Sequence, residues 1–226
     1  MKVFVRNKLF LIFFVFLFFG ASPLKALYPM TRNLLITGCA RSGTGYISQV
    51  LTRAGLDIRH EQIGKDGTSA WVMVAPSEKT PWGPGRKNIR FIHIFHQVRD
   101  PLKTISSVFS TEPPASWQYI MEYVPQILPE DSKTVKAAKY WYYWNLKAAE
   151  LAEWTYRIED IREVWGEMQY RLGKNLDMSV LDHVSKKANT RGNHMRDFTW
   201  EDLRKELEPN LYRNIRALAR SYGYIN

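Results

Sequence analysis

Leu34-Leu35-Ile36-Thr37-Gly38-Cys39-Ala40-Arg41-Ser42-Gly43-Thr44-Gly45-Tyr46 is the stretch that decides the fold. Leu34, Leu35 and Ile36 form a short apolar run ended by Thr37-Gly38, the pattern of a buried strand. From Thr44 onward, Tyr46, Ile47, Val50 and Leu51 recur at helical spacing, and Gly55 closes the helix. A strand therefore enters a glycine-bounded loop that opens a helix. Loop amides and a helix N-terminus aimed at one place favour an anion there. Gly43 and Gly45 allow the tight turn, while Arg41, Ser42 and Thr44 add a charge and two hydroxyls. The spacing from Gly38 to Gly43 equals that of a Walker A loop, but Thr44-Gly45 replaces the required Lys-Ser/Thr pair. No lysine then reaches a γ-phosphate, which argues against a kinase or NTPase.

Outward from this stretch, Leu56 to His60 reads as a second strand and Gly64 to Lys87, rich in Gly, Pro, Ser and Lys, as a long loop. Phe91 to Val98 reads as a further strand, followed by a helix from Pro101 and a proline-punctuated region around Pro113, Pro114, Pro125 and Pro129. Residues 133–154 carry the longest helical pattern. Tyr156 to Ile158 is a candidate short strand, Ile161 to Leu172 a helix, Asp182 to Asp197 a polar basic loop, and Trp200 to Ser221 a closing helical region. This order predicts an α/β fold of three layers, with a central, mostly parallel sheet and a P-loop-like phosphate cradle.

A second cluster lies at the end of the Phe91–Val98 strand, where Arg99-Asp100-Pro101 is followed by Ser106 and Ser107. Ser107 stands eight positions after Arg99, about two helical turns. A helix folding back over the strand end lets the guanidinium and the hydroxyl grip one phosphate together.

The two clusters resemble those of the sulfotransferases that use 3′-phosphoadenylyl sulfate (PAPS). Arg41-Ser42-Gly43-Thr44-Gly45-Tyr46 aligns with the family's Pro-Lys-Ser-Gly-Thr-Thr-Trp-like loop, which cradles the 5′ phosphosulfate. Arg99 and Ser107 align with its Arg-x-Pro element and the serine that hold the 3′-phosphate. The resemblance covers residues 33–110 and implies a cofactor site of Arg41, Ser42, Gly43, Thr44, Gly45, Tyr46, Arg99 and Ser107. It extends loosely to a late basic loop through Arg191 and Gly192. Arg41 stands where the family has a catalytic lysine, Gly45 replaces a hydroxyl residue, Tyr46 takes the place of the adenine-stacking aromatic, and Ile158 takes the place of an aromatic before Glu159-Asp160.

What the resemblance implies is transfer of a sulfuryl group from PAPS to an acceptor hydroxyl or amine, on a carbohydrate, a protein or a phenol-like molecule. Such a scheme needs no metal, and the sequence lacks the basic residues interleaved with aromatics of a single-strand nucleic-acid binder. The family's base is a His or a Glu after the cradle, which puts Glu61 first and His60 second. Trp71 and Trp82, in the long loop, are candidate acceptor contacts; Trp141-Tyr142-Tyr143-Trp144 is read as packing, and His93 and His96 as packed or hydrogen-bonded rather than catalytic. The competing readings are a P-loop-type phosphotransferase and a non-catalytic anion-binding domain.

Composition agrees with a globular domain: of 226 residues, 45% are hydrophobic and 14% aromatic, unlike a disordered chain. The single cysteine, Cys39, excludes an internal disulfide and a multi-cysteine zinc site. A formal net charge of +10 favours anionic partners without choosing among them. At the N-terminus, Lys2, Arg6 and Lys8 precede an apolar run from Leu9 to Ala21, then Ser22, Pro23 and Ala26. Residues 1–29 thus read as a signal peptide or signal anchor leading to the membrane or secretory pathway, and residues 30–226 as the sulfotransferase-like domain. Translation from Met30 would instead give a cytoplasmic product.

Overall fold

Leu34, Leu35 and Ile36 are wholly inaccessible to solvent, and the strand they form, β1 (Met30–Thr37), is longer than the apolar run alone predicts. The computed structural model describes residues 30–111, 113–185 and 196–225. The leader over residues 1–29 and the basic positions Lys186, Lys187, Arg191 and Gly192 lie outside the described residues. After β1 come α1 (Thr44–Arg53), β2 (Ile58–His60), β3 (Gly67–Ser69), a two-stranded ribbon of β4 (Lys79–Thr80) and β5 (Gly83–Pro84), and β6 (Ile89–Val98). Then follow α2 (Pro101–Thr111), α3 (Pro114–Tyr123), α4 (Lys133–Leu151), β7 (Trp154–Arg157), α5 (Trp165–Leu172), α6 (Val180–His183), α7 (Trp200–Glu206) and α8 (Pro209–Ser221).

Five parallel strands form the sheet in the order β2-β3-β1-β6-β7. One apolar cluster joins the sheet to α1, α5 and α6 through Ile47, Leu51, Trp165, Met168 and Leu181. The other packs α2, α3, α4, α7 and α8 through Ile105, Ile120, Trp141, Leu203 and Ile215. Helices thus cover both faces, the arrangement that buries an all-parallel sheet. The chain leaves β1 through α1 toward β2 on one side, and leaves β6 through α2–α4 toward β7 on the other. The carboxyl ends of β1 and β6 therefore flank a topological switch point, where open α/β sheets leave a crevice.

The expected loop from Gly64 to Lys87 needs correction: it contains β3, which slips between β2 and β1. Parallel neighbours normally need a crossover of a dozen residues. Residues 61–66 suffice here because each strand has only three residues. Glu61 turns the chain with a left-handed φ of 57° and donates its amide to the Ser69 carbonyl at 3.1 Å. The Asp66 carbonyl accepts from the amides of Asn33 and Leu34, both at 3.0 Å. At Gly67 the strands β3 and β1 approach so closely that a Cβ would lie 1.8 Å from the Leu34 carbonyl oxygen, so only glycine fits. Nothing in the strand propensities of Gly-Thr-Ser announces this pairing.

Trp71, expected at the acceptor site, is instead core. Only 3% exposed, it packs edge-on against Tyr119 and Tyr140, tilts against Trp144, and its carbonyl accepts from the Trp144 indole at 3.1 Å. Trp82 remains 41% exposed beside it, 5.6 Å between ring centroids. Trp141 and Trp144 are buried as expected. Several boundaries also move. α4 stops at Leu151, because Trp154 already belongs to β7; α3 occupies much of the proline-punctuated region, with Pro114 at its first turn. α5 starts only at Trp165, and the closing region divides into α7 and α8 at Pro209.

His96 is wholly buried on β6, with Nε2 facing Asn145 Oδ1 at 3.0 Å and Nδ1 facing Thr155 Oγ1 at 3.2 Å. A neutral ring with its proton on Nε2 satisfies both partners; this tautomer is assigned from them. Burial pushes its pKa down to about 4, from an ordinary 6.5. The unfolded chain therefore takes up a proton in this window, so stability is full above pH 6.5 and falls as the pH drops toward 4. A shift of this size corresponds to about 3 kcal/mol. His96→Gln is expected to flatten that part of the pH–stability curve in denaturant titrations. An unchanged slope would assign the acid sensitivity elsewhere.

Candidate functional site

The loop from Gly38 to Gly43 joins β1 to α1 at the switch point, and three side chains from other elements fix its backbone. The Ala40 amide donates to the Tyr140 hydroxyl on α4 at 2.8 Å. The Gln97 amide group donates to the Ser42 carbonyl at 2.7 Å, while its own oxygen accepts from the Tyr156 hydroxyl at 2.7 Å. Arg99 Nη1 donates to the Arg41 carbonyl at 2.9 Å. In a trans peptide the N–H points opposite to the C=O, so pinning the Ser42 carbonyl to Gln97 turns the Gly43 amide to the other side.

Gly43 is the N-cap of α1, with φ 94°, and no side chain caps this helix. By contrast, Ser132 caps α4 and a Thr199–Asp202 capping box closes the start of α7. A Cβ at Gly43 would lie 3.3 Å from both Gln97 Nε2 and Ile158 Cγ1. At Gly38 it would lie 2.2 Å from the Gln97 carbonyl oxygen. Ser42 is 1% exposed, and its hydroxyl has no hydrogen-bond partner among the described residues. A buried hydroxyl left unsatisfied is costly, by about 1–3 kcal/mol, which makes the loop a place that gains from a bound polar group.

The two sequence clusters meet here. Arg41 Nε donates to the buried Ser107 hydroxyl on α2 at 2.9 Å, and Arg99 holds the Arg41 backbone. On the opposite flank, Thr44 Oγ1 and His60 Nε2 are 3.1 Å apart, and Glu61 Oε1 lies 3.9 Å from the same nitrogen. Burial holds the His60 imidazole below its ordinary pKa; the Arg41 charge adds to the lowering and Glu61 opposes it. Both burial and the Arg41 charge favour the neutral form of the ring. Arg41 and Glu61 are the two non-glycine residues with positive φ among the described residues, at 69° and 57°. Left-handed backbone at such residues is held by the surrounding structure and gathers at functional sites.

Gly45 and Tyr46 occupy the first turn of α1. Tyr46 is packed into the apolar cluster on that face, 8% exposed, and burial raises its pKa. His93 pairs with Glu153 at 2.8 Å, well along β6 from the loop. An open groove of about 570 Å³ runs beside α1 and β2, lined by Gln49, Arg53, Asp57, Arg59, His60 and Gln62. Among the described residues, no group of three His, Cys, Asp or Glu side chains is placed to hold a metal ion, and no helix is long and apolar enough to cross a membrane.

Hydrogen bonds thus bring Arg41, Arg99 and Ser107 together on one flank of the loop, and Thr44 beside His60 and Glu61 on the other. Gln97, Tyr140 and Tyr156, which build the loop's support, went unnoticed in the sequence. Gln97 offered one signal, since with His96 it puts two polar residues in a row near the end of the strand. Compared with known proteins, the chain matches no family model and no curated protein.

Proposed function

We propose that this chain is a PAPS-dependent sulfotransferase. The observation that carries the reading is the meeting of Arg41, Arg99 and Ser107 at an uncapped helix N-terminus whose loop holds a buried, unpartnered Ser42 hydroxyl. A nucleotide with anionic groups at both its 5′ and 3′ positions suits two adjacent cationic sites. Ser42, Gly43, Thr44 and Gly45 would hold the 5′ phosphosulfate through the loop and the start of α1. Arg99 and Ser107 would hold the 3′-phosphate, and Tyr46 would border the base.

Transfer forms a bond from the acceptor oxygen or nitrogen to sulfur and breaks the bond from sulfur to the bridging oxygen. The electron pair stays on the 5′-phosphate of 3′,5′-ADP, and the acceptor proton goes to a protein base. Arg41 supplies positive charge for the leaving phosphate, a role for preorganised electrostatics. Glu61 takes the proton; His60, in contact with Thr44, is the second candidate. The groove beside His60 is the route we assign to the acceptor, since the Trp71 ring is buried in the core.

The test is thermal denaturation with 3′,5′-ADP, ADP and ATP-Mg in parallel. At a hundred times Kd, a ligand stabilises by about 2.7 kcal/mol, roughly 5–10 °C for a chain of this size. A shift of this order with 3′,5′-ADP alone is expected. A shift with ATP-Mg alone would favour a phosphotransferase, and equal shifts with all three a general anion site.

A further inference from the structure

The end of the chain is tied to the turn that carries Arg99. Glu159, just after β7, accepts from the Asp100 amide at 3.0 Å through Oε1 and from the Tyr224 hydroxyl at 2.8 Å through Oε2. One carboxylate thereby bridges the Arg99-Asp100 turn to the penultimate part of the chain. Arg157 secures the same segment. Its Nη1 donates to the Gly223 carbonyl at 2.6 Å, its guanidinium lies over the Tyr224 ring at 5.0 Å, and it is paired with Asp160 at 2.7 Å. Tyr222 continues the contact inward, edge-on to His96 and Trp141. Burial, then the Glu159 carboxylate, raise the Tyr224 pKa, so the hydroxyl stays a donor at neutral pH.

The geometry points to Glu159 as a positioning residue for Arg99, locked by Tyr224, so that the segment Tyr222-Gly223-Tyr224 sets selectivity for a nucleotide 3′-phosphate. The inference rests on the proposed PAPS site for the identity of the ligand, but not for the bridge itself. Arg99 directs Nη1 to the Arg41 carbonyl, so the placement of its turn decides whether the guanidinium can serve the loop and a phosphate together. Rotation of Asp100 away from Glu159 would move the guanidinium relative to Ser107, which α2 fixes separately. Glu159 touches no proposed ligand group; it acts through the Asp100 backbone.

Two measurements test this on the full chain. The first is amide hydrogen exchange without nucleotide. Glu159→Ala is expected to speed exchange at Asp100 by tenfold or more, and Tyr224→Phe by a smaller factor in the same direction. Unchanged protection in Glu159→Ala would overturn the bridge, whatever the protein binds. The second is binding of 3′,5′-ADP against 5′-AMP. Glu159→Ala is expected to reduce the preference for 3′,5′-ADP by about tenfold, with Glu159→Gln, which keeps an acceptor for Asp100, restoring most of it. The Glu159→Ala/Tyr224→Phe double variant should be no worse than Glu159→Ala alone, because Tyr224 acts through Glu159. Equal weakening of both nucleotides by Glu159→Ala, or additive losses in the double variant, would overturn the positioning role. A parent protein with no preference for 3′,5′-ADP would instead sink the proposed function and the selectivity role, leaving the exchange result to decide the bridge.

Discussion

Arg41→Ala is expected to lower the transfer rate by about a hundred- to a thousandfold, the usual consequence of removing one preorganised group that meets charge developing in the transition state. The loss should fall on kcat more than on KM, since the leaving phosphate gains charge only as the sulfur–oxygen bond breaks. Backbone geometry must be separated from charge, because Arg41 sits at a φ of 69°, where a Cβ is strained. Arg41→Gly relieves that strain and still lacks the guanidinium. The two variants should therefore be similarly inactive, with Gly the more stable. Arg41→Lys keeps a point charge and should retain activity within about tenfold, although it loses the fork geometry that reaches Ser107. Parent-like turnover by Arg41→Gly would mean that the loop amides act without a side chain.

Arg99→Ala should weaken 3′,5′-ADP binding far more than 5′-AMP binding. A charge-assisted hydrogen bond is worth about 1.5–3 kcal/mol, or roughly ten- to a hundredfold in Kd. The bond from Arg99 to the Arg41 carbonyl complicates the reading, because losing it loosens the loop for both nucleotides. The difference between the two losses isolates the 3′-phosphate. Calorimetry on both ligands gives that difference directly. Equal losses would leave Arg99 as a loop support only. Ser107→Ala should give a smaller loss with the same selectivity, since it removes a neutral donor.

The loop and its flanking elements were legible because their signals are local. Apolar Leu34–Ile36, the glycines at 38 and 43, and the helical spacing of Ile47, Val50 and Leu51 each constrain the chain within a few residues. The same holds for Arg99 at the end of β6 and Ser107 on the helix that follows. His60 and Glu61 could be named as an adjacent pair, but the contact of His60 with Thr44 crosses from β2 to α1 and has no trace in the sequence.

The sequence by itself determined the α/β class, the strand–loop–helix at residues 34–54, and the placing of Arg99 and Ser107 at the end of one strand and on the helix after it. Tertiary structure alone decided that β3 inserts between β1 and β2, because that pairing depends on Gly67 meeting Leu34 without a side chain rather than on any strand propensity. It also decided that Trp71 is core and not surface, since burial of an aromatic ring follows from the rings packed around it. The support of the loop by Gln97, Tyr140 and Tyr156, and the bridge from Asp100 through Glu159 to Tyr224, belong to the same category. These hydrogen bonds join residues 55 to 100 positions apart, and a separation of that kind is closed only by the packing of the whole sheet and its helices.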